Sequence, residues 1–142
     1  MTPLFLTDDT LLARYWPDVE RLIRPVVEHA ARGEFNLDDL RRACVGKTAT
    51  AAIAIDDGEV VLAMVFEFLH YPRMSACNIM ALGGRNMAEA YERFFVTFKK
   101  WLYGMGVTVI EASCSSAMSR FLARYGFEKT YEVVRHAIED QI

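Results

Sequence analysis

A chain of 142 residues, 53% hydrophobic and 25% charged, is sized for one domain with a substantial core. Its net charge of −3 supplies no basic stripe of the kind that holds a phosphate backbone, so nucleic acid is not an expected partner. No apolar run reaches the roughly 18 residues of a membrane span, and "MTPLFLTDDT" lacks the cationic start and apolar length of a signal peptide. The expected location is the cytoplasm of the producing cell, or wherever a partner carries the protein.

Taken in chain order, Pro3 to Leu6 is a possible first strand. From Tyr15 to Ala31, Trp16, Val19, Leu22, Ile23, Val26, Val27 and Ala30 recur at helical spacing. Pro17 fits the first turn of such a helix, and Pro25, further in, is expected to kink or divide it. "NLDDLRRACVGK" reads as a second helix with Asn36 as N-cap and Gly46 as its stop. Arg41, Arg42 and Lys47 are the nearest thing to a cationic cluster and read as a solvated face.

"TATAAIAI" and "EVVLAMVFEFL" are two β-type runs joined at Asp56-Asp57-Gly58, a hairpin signal. "ACNIMAL" is a third strand after Tyr71-Pro72-Arg73. Gly83 and Gly84 then lead into a long helix whose apolar face is Met87, Tyr91, Phe94, Phe95, Phe98, Trp101 and Leu102. "VTVIEASC" is a further strand, "SSAMSRFLARYGF" a short helix capped by Ser115 or Ser116 and stopped by Gly126, and "KTYEVVRHAI" a final strand. Phe94, Phe98, Trp101, Val109 and Phe121 are expected to meet in one core. The strand at Val107 is expected to run parallel to the one ending at Leu82, with the long helix as crossover.

Cys44, Cys77 and Cys114 match no zinc or disulfide pattern and read as buried, reduced thiols. His29, His70 and His136 lie far apart, so no metal site is expected.

This order of elements, closing with "GMGVTVIEASCSSAMSRFLARYGF", resembles the Gcn5-related N-acetyltransferases (GNAT). In that family a helix ends in glycine, a buried strand follows, and a short helix closes on Gly-Phe. Here these are Gly104 to Gly106, Val107 to Cys114, and Ser115 to Phe127. The resemblance spans most of the chain by element order, and the part from Gly104 onward by local pattern. It is nearest to the small proteins of this kind encoded by tailed bacteriophages, which share an "EFNLDDL"-like second helix, the Tyr-Pro after the hairpin, and Gly-Gly before the long helix. The resemblance implies an α/β fold, one GNAT-like domain over 1–142, with a central mixed sheet flanked by helices on both faces.

It also implies where chemistry would sit. The family's acetyl-CoA loop, Gln/Arg-x-x-Gly-x-Gly/Ala, lies between the fourth strand and the long helix, where backbone N–H groups and the helix end face the pyrophosphate. Here the place holds "LGGRNMAEA", several residues shorter. Gly83, Gly84, Arg85 and Asn86 are the candidate cofactor residues, by close backbone approach and one cation. The same residues also suit an ordinary strand-to-helix turn with Asn86 as N-cap. The family's general acid, a Tyr four residues before the closing glycine, falls on Leu122, with Phe121 beside it and Tyr125 out of place. Neither Leu122 nor Phe121 can donate a proton.

For a base acting on an amine, Glu67 and His70 are the catalytic candidates, directly or through water, and a solvated strand face is the other reading of Glu67. Glu111 interrupts an apolar strand and could line a cofactor cleft or pair with an arginine. Both departures point to a retained fold with eroded chemistry: no cofactor, a phage or host protein as partner, and a virion-associated, assembly or host-interaction role. The alternative is an active acetyl-CoA-dependent N-acyltransferase.

Overall fold

Alternating and helical patterns resolve into five strands and four helices over residues 1–139, which are those the computed structural model describes. In chain order they are β1 (Thr2–Phe5), α1 (Asp9–Ala30), α2 (Leu37–Val45), β2 (Thr50–Asp56), β3 (Glu59–His70), β4 (Ser75–Gly84), α3 (Met87–Gly104), β5 (Val109–Ala112) and α4 (Ser116–Ala123). The strands form one sheet in sequence order. β1 to β4 are antiparallel neighbours, and β5 lies parallel to β4 with α3 as the crossover between them, as expected. No helix among the described residues is long and apolar enough to cross a membrane.

α1 departs from the expected boundary. Asp8 is its N-cap, accepting from the Thr10 N–H at 2.9 Å, so the helix starts six residues before Tyr15 and both prolines lie inside it. It runs unbroken through Pro17 and Pro25. Burial of Leu12, Trp16, Val19, Ile23 and Val27 along one stripe outweighs the two hydrogen bonds the prolines remove. α2 follows its sequence signal closely. Asn36 accepts from the Asp39 N–H while the Asp39 carboxylate accepts from the Asn36 N–H, a complete capping box. The β2–β3 turn is Asp57-Gly58, both at positive φ (50° and 78°), the backbone that a two-residue hairpin turn demands.

Each face of the sheet carries its own core. α1 and α2 cover Ala51, Ile53, Ala63, Val65 and Ala81, while α3 and α4 cover Ala52, Leu62, Met64, Phe66, Cys77, Ile79 and Leu82. Phe94 and Phe98 are buried as expected and Trp101 and Phe121 are half-buried beside them, whereas Val109 does not join this core, because alternation along β5 gives the α3 face to Ile110 and Ala112. Trp101 lies at the rim, stacked on Phe5 at 4.3 Å between ring centroids. The expectation for Cys114 also needs correcting. β5 stops at Ala112, so Cys114 falls in the following loop and is exposed, while Cys44 and Cys77 are buried.

The final strand expected at "KTYEVVRHAI" does not form within residues 128–139, which hold neither helix nor strand. Tyr131, Val133, Val134 and Ile138 of that segment are exposed. A β-type sequence needs a paired neighbour to become a strand, and this one pairs with none among the described residues.

Candidate functional site

The glycine pair is part of the sheet. Gly83 pairs with Ala63 and Gly84 with Leu62, so both belong to β4 rather than to the corner after it. What requires glycine is crowding by main chain. A Cβ on Gly83 would overlap the Leu22 carbonyl oxygen of α1, and one on Gly84 the Val61 carbonyl oxygen of β3. The corner itself is two residues long, Arg85 and Asn86. The Arg85 N–H donates to the Val61 carbonyl at 2.9 Å, and its guanidinium pairs with Glu59 at the start of β3. Asn86 occupies the N-cap position of α3 in the left-handed region (φ 49°, ψ 51°), and its side chain makes no capping hydrogen bond among the described residues. The expected Asn86 cap is therefore absent there, because the left-handed turn spends the residue on direction.

Beside this corner the sheet opens. β5 pairs with β4 only from Ala76 to Ile79. Beyond that, Met80 is an extra residue: Val65 pairs with Ala81 and Phe66 with Ile79, a β-bulge at the point where the two strands part. From Met80 to Gly84 the β5-side edge of β4 carries no strand among the described residues.

On the α3 face, the space between α3 and α4 is filled by aromatic rings. Tyr91 lies 4.8 Å from Tyr125, 5.1 Å from Phe95 and 5.6 Å from Phe121, and Phe95 lies 5.7 Å from Phe127. The Tyr125 hydroxyl donates to the Ala88 carbonyl at 2.9 Å, tying the end of α4 to the first turn of α3. Tyr91 is fully buried, and its hydroxyl has no hydrogen-bond partner among the described residues. Burial pushes its pKa well above the ordinary tyrosine value, with Cys77 and Tyr125 adding to the shift. These residues were not singled out for a joint role by sequence reasoning. Their helical spacing marks them as core, and only the fold sets them in one gap.

Alternation sends Glu67 and His70 to opposite faces of β3. Glu67 stands between Phe66 and Phe68, which pack toward α3, so it faces the α1–α2 side, opposite Asn78. Asn78 in turn is opposite Glu111 on β5, giving a row of three polar side chains across three strands. His70 is exposed at the strand end, its Nδ1 3.1 Å from the Ser75 Oγ. The structure does not bring Glu67 and His70 together as a catalytic pair. Glu111 pairs with no arginine among the described residues; it accepts a 2.6 Å hydrogen bond from the Tyr71 hydroxyl, whose pKa that bond raises. Asn78, opposite Glu67, is five residues before Gly83, about 16 Å along an extended strand. The candidate base and candidate cofactor residues are thus separated by the bulge.

No family model and no curated protein matches this sequence. Solved structures do. A probable acetyltransferase superposes with a TM-score of 0.73 at 11% identity, over 99% of this chain and 100% of its own. A mutant of a Bacillus halodurans protein gives 0.72 at 15% identity, over 97% and 100%. An aminoglycoside N-acetyltransferase in complex with CoA gives 0.66 at 11% identity, over 98% and 100%. The fold is that of the GNAT acetyltransferases, and at these identities the likeness concerns the fold alone.

Proposed function

We propose that this chain is a GNAT-fold domain whose cofactor and general-acid sites are eroded and which acts through its surface on a protein partner. By resemblance to small phage-encoded proteins, that role is virion-associated, assembly or host interaction. The observation that carries the reading is the corner between β4 and α3. Only Arg85 and Asn86 lie between the last paired strand residue and the first helical one. Two residues cannot surround a pyrophosphate, and both glycines are consumed by packing. The aromatic filling between α3 and α4, with the Tyr125 bond across it, supports the same reading, as does an aliphatic side chain at Leu122.

A second reading, an active acetyl-CoA-dependent N-acyltransferase, is favoured by the open β4 edge beyond the Met80 bulge and by the enzymes that share the fold. In that reading Glu67 serves as base through a water on the α1–α2 face, and α3's uncapped first turn meets the cofactor phosphates. The two separate in an assay of CoA thiol release from acetyl-CoA with a panel of primary amines. The proposal expects no release above the buffer rate. Turnover that disappears in Glu67→Gln establishes the enzyme.

A further inference from the structure

α4 is fastened to the rest of the molecule by side chains. Residues 113–115 before it are exposed and hold neither helix nor strand, and Gly126 after it stands at φ 89°. Among the described residues, every backbone hydrogen bond made by 115–127 stays within that segment. One hydrogen bond leaves it, from the Tyr125 hydroxyl to the Ala88 carbonyl. Leu122 is its one buried residue, while Met118, Phe121, Tyr125 and Phe127 are half-buried. On α3, by contrast, Tyr91, Phe94 and Phe98 are fully buried.

The segment begins where β5 stops, with Ala112 opposite Ile79, and ends on the first turn of α3. It thus lies over the opening where β4 runs on without β5, from Met80 to Gly84. Two of the three rings packed on Tyr91, those of Phe121 and Tyr125, belong to it. Beneath them the Tyr91 hydroxyl is buried with no hydrogen-bond partner among the described residues. A buried hydroxyl left unpaired is destabilising, and that penalty lasts only while α4 is in place. An eight-residue helix does not persist alone in water, so leaving the α3 face and losing its own hydrogen bonds are one event.

We propose that residues 115–127 form a hinged cover, which opens by local unfolding about 113–115 while the sheet, α1 and α3 stay folded. Closed, it fills the gap beside α3 with aromatic rings and blocks the first turn of that helix. Open, it returns the Tyr91 hydroxyl to water and frees the α3 turn together with the β4 edge. Local openings of this kind lie below the global unfolding free energy where few groups are deeply buried, as here. Access to this end of α3 is then governed by the equilibrium of the cover. The inference holds whether or not CoA binds.

Residue-resolved amide hydrogen exchange on the full chain tests it, in the wild type and three single variants. In the wild type, amides 119–127 should share one protection factor, about 100-fold or more below that at the centre of α3. Tyr125→Phe removes the strap and should lower α4 protection about two- to tenfold. Tyr91→Phe removes the unpaired hydroxyl and should raise it by about fivefold or more. Ile53→Val, buried under α1 on the other face, should lower α3 protection about two- to tenfold and leave α4 unchanged. Protection in α4 equal to that in α3, or graded inward from its ends, would overturn the cover. So would an α4 that follows Ile53→Val, ignores Tyr125→Phe, or gains nothing from Tyr91→Phe.

Discussion

The Tyr125 hydroxyl and the Ala88 carbonyl are joined by a 2.9 Å hydrogen bond across 37 residues of sequence, fastening α4 to the first turn of α3. That strap lies over the aromatic filling at Tyr91, Phe95 and Phe121. Tyr125→Phe keeps the rings and removes only the bond. It should lower stability by about 0.5–1.5 kcal/mol, read as a drop in melting temperature. An unchanged melting temperature would mean the strap contributes nothing to holding the two helices together.

Gly83 separates packing from phosphate binding. If the glycine exists because α1's main chain crosses it, Gly83→Ala must displace α1, at about 1–3 kcal/mol, since the obstructing atom is backbone. Thermal melting checks this. A Gly83→Ala protein as stable as the wild type would show that α1 yields easily there, and that packing is not why the residue is glycine.

Phe98 and Trp101 lie on the same helix face but should not cost the same. Phe98 is fully buried against Phe66 and Phe94, and its truncation to Ala should cost about 3–5 kcal/mol. Trp101 is half-buried, so Trp101→Ala should cost distinctly less despite its stacking on Phe5. Chemical denaturation of the two variants gives the order. Equal losses would place Trp101 in the core.

The buried acids set an alkaline limit. Burial lifts the Cys44 thiol from its ordinary 9.0 to about 11, and the Cys77 thiol to about 12, with Glu67 adding to the latter. Tyr91 is raised as well. In each case the folded state holds its proton more tightly than the unfolded chain. Their contribution is therefore complete below about pH 9 and is lost as pH rises toward 11 and 12. Melting temperature should be nearly level with respect to these groups up to pH 9 and fall above it, less steeply in Cys77→Ala. A level profile to pH 11 would contradict the assignment. The same burial predicts one thiol, Cys114, open to a disulfide reagent in the native protein and three after denaturation.

The parts legible in the sequence are those fixed locally. Asn36 with Asp39, Asp57-Gly58, and Ser115 with Met118 each specify a cap or turn within four residues, and each is formed. The crossover from β4 to β5 followed from the periodicity of α3 and the handedness of parallel connections. The start of α1 was obscured because two prolines looked like boundaries, when a continuous buried stripe was enough to carry the helix through them.

The candidate site was harder to read. Gly83 and Gly84 look like a corner in sequence because nothing local says that the Leu22 and Val61 carbonyls will lie against them. The Glu111–Tyr71 and Tyr125–Ala88 bonds join residues 40 and 37 positions apart. "KTYEVVRHAI" has the composition of a strand, but composition does not supply the edge that would receive it.

Calorimetric titration of the full chain with acetyl-CoA and with CoA tests the eroded-site reading most directly. A micromolar complex needs about 8 kcal/mol of binding free energy, and an exposed helix end contributes about 0.3–1 kcal/mol per charge. With a two-residue corner and both glycines held against main chain, neither ligand should give measurable saturable heat at micromolar concentrations. Saturable binding in the low micromolar range, weakened at least tenfold by Arg85→Glu in a protein of unchanged melting temperature, would contradict the account and make the β4–α3 corner a cofactor site.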